Sequence, residues 1–419
     1  MEGFKSKRVA VLGAGRSGLA AARLLRGHRV EVFLSDHREI SPHVKKELEA
    51  LNTSYEEGGH TDRILRSELI VLSPGVPPSL PILEGARERG IPIIGELELA
   101  YRLCESKKIL AVTGTNGKST TARICGELLR AAGHEVIVAG NIGNPLSGEL
   151  GRIDGETVVV LEVSSFQLET IERFHPWVSL FLNFAPDHLE RHGSIERYFK
   201  AKCRIFENQT ENDFAIVQRR LIQALPPLRP RVLKIDDGSV PQDLFPHQRE
   251  DLAAALLASR LVDTGIDLSL IDLGKALALP HRLEFVAEID GIKFYDDSKA
   301  TNVAATLAAI ASFPDPELTL ILGGQAKGES FSPLAEAIKG RRIAALLLGE
   351  AAGKIAWELE RVDYREFQFI NDLQEAVRLA LELGREICLL SPACASFDMF
   401  SDYRERGLAF QRAVLALAA

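Results

Sequence analysis

A chain of 419 residues is longer than one hydrophobic core holds, and typical domain size predicts roughly three domains. Its 46% hydrophobic and 26% charged residues are those of a globular protein, and no apolar run nears the roughly 18 residues that a membrane span needs. A net charge of −8 argues against a sequence-independent grip on nucleic acid, although local loops and lysines can still hold an anionic ligand. The opening stretch M-E-G-F-K-S-K leads into no apolar signal core, and the five cysteines show no paired spacing. Free thiols in a reducing cytoplasm are expected, not a disulfide framework.

Residues 8–12 (R-V-A-V-L) read as a buried strand. Gly13, Gly15 and Gly18 follow in G-A-G-R-S-G, then a helical pattern through Leu25. A second strand over 30–34 ends at Asp36, 18 residues beyond Gly18. The order has the form of a dinucleotide fingerprint: glycines for a tight turn, and an acid after the second strand for a ribose or base. It predicts a doubly wound sheet. Whether the glycines serve a nucleotide or only strand-to-helix packing stays open on these residues. A third strand over 69–72 runs into Ser73, Pro74 and Gly75, on the ligand-binding edge of such a sheet. A fourth strand is expected over 91–94 and a helix over 96–104, with a domain boundary near Gly95.

The next stretch, 109–121, reads I-L-A-V-T-G-T-N-G-K-S-T-T: strand, glycine loop, helix. Backbone N–H groups of Gly114, Thr115, Asn116 and Gly117 would converge on one point, where the helix N-terminus adds positive charge. A polyphosphate suits that point. Lys118 would neutralise its outer oxygens, and Ser119 or Thr120 would offer a hydroxyl to Mg²⁺. The loop is a short form, since Val112 stands where the usual pattern has its first glycine. Three further strands follow. One over 136–138 ends in A-G-N-I-G, which contains Asn141; one over 157–163 contains Glu162; one over 178–183 ends at Asp187 and His188. An ionised carboxylate inside V-V-V-L-E-V is costly unless it is paired or binds a cation. Helices are expected over 194–207, which carries Lys202, over 252–261 and over 268–278.

In this order G-T-N-G-K-S-T, S-S-F-Q-L-E after Glu162, N-F-A-P-D-H and A-K-C-R-I-F-E-N resemble the Mur ligases, ATP-dependent enzymes that form amide bonds in peptidoglycan precursors. The resemblance implies that Glu162 and a loop hydroxyl (Ser119) hold one Mg²⁺, while His188 and Lys202 serve a second. It implies a carbamate on Lys202, catalytic roles for Lys118, Lys202 and His188, and substrate contacts from Asn141 and Asp187. The adenine-contacting segment, usually H-N-x-x-N in the family, here reads H-Q-R-E-D, so Gln248 and Asp251 take those places.

The last third opens at His281 and Arg282, with strands expected over 292–295, 318–322, 344–348 and 387–390. Three polar loops lie at strand ends: D-D-S-K-A-T-N, G-G-Q-A-K-G and S-P-A-C-A-S. The first and last resemble the family members that add D-glutamate. They imply that Arg282, Asp297 and Lys299 face the nucleotide, and that Thr301, Lys327, Ser396 and Phe397 surround D-glutamate. Ser17, Asp36 and Ser73-Pro74-Gly75 would then hold a uridine diphosphate. The implied fold is α/β in three domains. A Rossmann-like N-terminal domain (1–95) binds the UDP substrate, a central P-loop mononucleotide-binding parallel sheet (96–279) binds ATP, and a Rossmann-like C-terminal domain (280–419) binds the amino acid. The implied reactants are ATP, two Mg²⁺, UDP-N-acetylmuramoyl-L-alanine and D-glutamate, handled by a cytoplasmic monomer with no nucleic acid and no membrane insertion. Competing readings are another ligase of the superfamily (a different Mur ligase or a folylpolyglutamate type), an oxidoreductase using the first fingerprint, and a non-catalytic nucleotide switch.

Overall fold

In the computed structural model, which describes residues 7–418, the chain forms two compact units. The first takes in the chain up to Phe184, then Phe199–Pro241 and Arg249–Asp272; the second takes in Ala185–Tyr198, Gln242–Gln248 and the chain from Leu273 on. The opening residues 1–6, on which the signal-peptide expectation rests, lie outside the described residues.

The first unit contains two parallel sheets. One comprises β1 (Arg8–Leu12), β2 (Glu31–Ser35), β3 (Ser54–Glu56), β4 (Leu69–Leu72) and β5 (Ile93–Gly95), in the order β3-β2-β1-β4-β5. β1 and β4 are central and covered on both faces, which is why they read as unbroken apolar runs. The strand order reverses direction between β1 and β4, so the loops after them open the crevice where such sheets bind ligands. The other sheet comprises β6 (Ile109–Thr113), β7 (Val136–Gly140), β8 (Val158–Glu162), β9 (Val178–Phe181), β10 (Phe214–Gln218) and β11 (Arg231–Ile235), in the order β11-β10-β9-β6-β8-β7. Its register pairs Val112 with Glu162, which brings the carboxylate to the start of the glycine loop.

One buried acid stitches the helix Glu96–Leu103 to the second sheet's connections. Glu98 is fully buried and accepts backbone N–H groups of Glu172, Arg173 and Phe174, while Arg102 donates to it from one helical turn away. Several donors on one carboxylate are what make its burial tolerable.

The second unit is built on one six-stranded sheet: β12 (Glu284–Ile289), β13 (Ile292–Asp296), β14 (Leu318–Gly323), β15 (Ile343–Leu348), β16 (Phe367–Phe369) and β17 (Ile387–Leu390), in the order β12-β13-β17-β14-β15-β16. Only β12 runs antiparallel, joined to β13 through Asp290 and Gly291, both at positive φ, as a tight hairpin needs. Leu320, Leu322, Leu347 and Leu389 form its core with Leu334, Ile338 and Ile355 of the covering helices. Truncating such a leucine to alanine costs about 2–5 kcal/mol.

Several boundaries differ from expectation. The strand placed over 91–94 is Ile93–Gly95. The helix placed over 194–207 stops at Cys203 and ends in a single 3₁₀ turn, Arg204–Phe206. The helix placed over 268–278 is a 3₁₀ turn, Leu268–Leu270, and a short helix, Leu273–Leu277. There Asp267 accepts the Ser269 N–H and ties the backbone into a turn before a longer helix can form. Among the described residues no helix is long and apolar enough to cross a membrane.

Candidate functional site

The glycine loop after β6 is held in shape before any ligand arrives. Thr115 N–H donates to the Asn183 carbonyl, Asn116 N–H donates to Asn183 Oδ1, and Asn183 Nδ2 donates back to the Asn116 carbonyl. Gly117, at φ +83°, caps the helix Lys118–Ala131. Lys118 Nζ folds onto the carbonyls of Gly114 (3.0 Å) and Thr115 (2.8 Å), and Lys202 Nζ donates to Gly114 as well, at 2.7 Å. Two cations therefore meet at one loop, and Lys202 is 1% exposed. Beside them Ser119 Oγ donates to Glu162 Oε2 at 2.7 Å, and Asn141 Nδ2 donates to Oε1 at 2.7 Å. Thr120 is buried in the same first turn. Asp251, assigned to the adenine by resemblance, is 5% exposed and packs against Gly117 in this unit.

A cavity of about 620 Å³ begins at this cluster. It is lined by Asn141 and Gln167, by Gly13, Gly15, Arg16, Ser17 and the Ser73–Pro74–Gly75 loop, and by Asp36, His37, Arg38 and His60. Arg16 Nη1 donates to the Gly143 carbonyl and so ties the loop after β1 to the loop after β7. Ser73 Oγ donates to the Gly13 carbonyl. Asp36 accepts the N–H groups of Ala14 (2.6 Å) and Arg38 (2.8 Å), so it shapes the glycine turn as well as lining the cavity.

The second unit carries its own polar clusters. Asp187 Oδ1 accepts Lys327 Nζ at 3.1 Å, its Oδ2 accepts Asn302 Nδ2 at 3.0 Å, and Lys327 also donates to Thr301 Oγ1 at 3.2 Å. Burial pushes the Asp187 carboxyl up, but Lys327, His188 and Asn302 outweigh it and hold the group below the usual range. His188, at φ +53°, sits with Nδ1 3.4 Å from Glu190 Oε1 and Nε2 3.7 Å from Asp187 Oδ2. Glu329 borders this cluster. One of its oxygens accepts the Val303 N–H, the other is buried without a partner among the described residues, and burial raises its carboxyl to about 7. Asp297 is raised to about 7 by burial, against hydrogen bonds from Ser391 Oγ and the Leu283 N–H. Gln248 and Arg282 line one cavity of about 460 Å³ in this unit. The Lys299 ammonium lies 5.2 Å from the Tyr403 ring centre. Ser396 is 2% exposed, whereas Phe397 is 67% exposed. The S-P-A-C-A-S loop is tied by Arg406, which donates to the carbonyls of Cys394, Ala395 and Ser298.

Known proteins match along the whole chain. The Mur ligase MurD-like N-terminal domain matches residues 7–95, the Mur ligase middle domain 112–232, and the Mur ligase glutamate ligase domain 281–394. Proteins named UDP-N-acetylmuramoylalanine--D-glutamate ligase are similar throughout. That of Caldicellulosiruptor bescii is 40% identical, covering 98% of this chain and 98% of its own. That of Pelotomaculum thermopropionicum is 38% identical, covering 100% and 99%. The chain belongs to the Mur ligase family. The fold agrees with solved Mur ligase structures: MurC of Thermotoga maritima (TM-score 0.56, 18% identity, 98% of this chain and 99% of that one), and MurF of the same organism in complex with ADP (TM-score 0.58, 18% identity, 85% and 90%).

Against that family background, the residues missed by sequence reasoning are partners of the ones it found. Asn183 lies in the quoted N-F-A-P-D-H stretch, and Asn302 ends D-S-K-A-T-N, so their motifs were visible but not their hydrogen bonds. Arg38 and His60 of the cavity carried no motif signal.

Proposed function

We propose that this Mur ligase joins D-glutamate to UDP-N-acetylmuramoyl-L-alanine at the expense of ATP, in the cytoplasm, as a step in building a peptidoglycan precursor. The observation that carries the reading is the full-length similarity, at 38–40% identity, to proteins named for that reaction. The division of labour follows residues 1–95 for the UDP substrate, 96–279 for ATP and 280–419 for the amino acid, in a monomer.

A carboxylate resists an amine because its charge repels and its oxide leaves poorly. Phosphorylation to an acyl phosphate removes both obstacles. Lys118 is the cation of the glycine loop placed to turn from the Gly114 and Thr115 carbonyls to the transferring phosphoryl group. Ser119 and Glu162 fit a Mg²⁺: two oxygen donors 2.7 Å apart, of the hard type this ion takes. His188 has Asp187 against its Nε2 and Glu190 against its Nδ1, so the ring would give one nitrogen to a second ion beside a single carboxylate. Lys202 would join a metal only as a carbamate, because an ammonium has no lone pair to give. When bound, the ions neutralise crowded phosphate oxygens. Asn141 reaches from Glu162 to the cavity, so it holds the acceptor end of the UDP substrate beside the phosphate loop. Lys327 holds a carboxylate of the incoming amino acid, with Thr301 and Ser396 directing it, and Arg282, Asp297, Lys299 and Gln248 serve the nucleotide.

The test is phosphate release from ATP with UDP-N-acetylmuramoyl-L-alanine against a panel of amino acids. D-glutamate should support turnover and L-glutamate only poorly. A better acceptor in L-alanine or meso-diaminopimelate would move the protein elsewhere in the family.

A further inference from the structure

The sheet order sets the order of groups along the large cavity of the first unit. Successive strands β3, β2 and β1 are neighbours, and each sends its following loop to the same edge. The loop after β1 and the N-terminus of the helix Arg16–Gly27 offer backbone N–H groups suited to a diphosphate. Asn141, beyond them, adjoins Glu162, where the reacting carboxylate belongs. The remaining end, formed by residues after β2 and β3, is left for the base. It is lined by Asp36, His37, Arg38 and His60.

A short relay of hydrogen bonds fixes the chemistry of His60. Glu56 accepts from Thr61 N–H, Thr61 Oγ1 and Ser35 Oγ. Burial pushes its carboxyl up, but those donors outweigh it, and the group stays below the usual carboxylate range. It is therefore ionised and accepts only. Ser35 Oγ has one proton, which goes to Glu56 Oε1 at 2.8 Å. The same Oγ lies 2.7 Å from His60 Nδ1, so it must accept there, and His60 must donate. Burial lowers the His60 pKa, against Asp36, so the ring is neutral at neutral pH. A neutral imidazole with its proton on Nδ1 has a lone pair on Nε2. Among the described residues, Nε2 has no hydrogen-bond partner.

We propose that His60 reads the base of the nucleotide substrate, its Nε2 accepting the N3–H of a uracil ring. This rests on the reading of the cavity as the UDP site. Uracil presents a donor at N3, whereas cytosine presents an acceptor there. An acceptor fixed by Ser35 and Glu56 welcomes the first and faces a second lone pair with the other. Asp36 lines the same end of the cavity, and each of its oxygens keeps a lone pair beside its backbone N–H, so the variants at His60 are what separate the two acceptors.

Calorimetry of UDP and CDP binding to the full chain tests this. The unaltered protein should bind UDP at least tenfold more tightly than CDP. His60→Ala should weaken UDP about tenfold and CDP less than twofold. His60→Lys, which can only donate, should bring CDP level with UDP or above it. Ser35→Ala, which touches no ligand, should narrow the ratio by releasing the ring to its other tautomer. A UDP-to-CDP ratio unchanged in His60→Ala and His60→Lys overturns the base assignment while leaving the UDP site standing. Failure of the unaltered protein to bind UDP overturns the reading of the cavity, and this proposal with it.

Discussion

Asp297 shows what a buried carboxyl does to the enzyme's response to pH. Its folded pKa is raised from 3.8 to about 7 by burial, only partly offset by Ser391 and the Leu283 N–H. Between those values the folded protein binds a proton that the unfolded chain has released, so stability falls as pH rises through that window. The sign is opposite to that of a salt-bridged acid such as Asp187, whose lowered pKa favours folding at higher pH. Asp297→Asn removes the proton dependence and keeps the shape. Its amide oxygen can accept the Leu283 N–H, and Ser391 can turn its hydroxyl to Thr306 Oγ1 at 3.2 Å. The variant should lose phosphoryl transfer yet gain stability at pH 8, with a flatter slope of urea midpoint between pH 5 and 8. A residual slope should remain, since Glu329 titrates in the same window. A variant as pH-sensitive as the parent would show that Asp297 ionises without cost. Residues of this kind were partly legible. Glu162 stood out as an acid in an apolar strand. Glu98 did not, because apart from Arg102 its donors are backbone N–H groups at 172–174 that leave no mark in sequence, and Asp187 did not reveal Lys327, 140 positions away.

At the scale of elements, the glycine loop and its helix are the most exacting part of the chain. Gly117 is at φ +83°, and a Cβ there would stand 2.1 Å from Asp251 Oδ1 and 2.8 Å from its Cγ. Gly117→Ala therefore meets two costs, a left-handed backbone worth roughly 1–2 kcal/mol for a non-glycine residue and a displaced, buried carboxylate. The two separate in a double-mutant cycle. In an Asp251→Ala background the same substitution should cost only the backbone share, and the coupling should appear as a difference in urea midpoint. Equal costs in both backgrounds would mean that Asp251 yields freely. The cycle also bears on the departure from H-N-x-x-N, for an acid so close to the loop is part of its packing, whatever it does for adenine. Elements with this much constraint were readable. Strand, loop and helix over 109–121 follow from the apolar run, the glycines and the K-S-T-T stretch that opens the helix. The strands that were missed lie mostly at sheet edges, where no buried face imposes a pattern. β11 exposes Arg231, Val232 and Lys234, and β16 has three residues with Phe369 59% exposed. The short helix Leu273–Leu277 was over-extended because leucine spacing at 268–277 mimics a helical face, while Asp267 turns the backbone first.

For the whole molecule, the division into two units predicts separate responses to separate ligands. Every residue that lines the large cavity belongs to the first unit, and Asp187, Thr301, Asn302 and Lys327 all belong to the second. A ligand that binds only the native form stabilises what it binds by RT ln(1 + [L]/Kd), about 2.7 kcal/mol at one hundred times Kd. Opening reactions that break the bound region carry that increment, and openings elsewhere do not. UDP at saturating concentration should therefore slow hydrogen exchange at 13–18, 36–38, 58–61 and 73–76, and leave 299–303 and 325–331 unchanged. D-glutamate alone should do the reverse, because Lys327 exchanges the Asp187 carboxylate for that of the ligand while its neighbours stay in place. The net charge of −8 makes a low-salt control necessary: a general effect of anions on an acidic protein spreads over its cationic surface, fades with added salt, and respects no unit. Protection that survives salt and maps to one unit per ligand supports the assignment of substrates. Protection by UDP confined to 299–303 and 325–331 would place the uridine nucleotide in the second unit and undo the reading of the first.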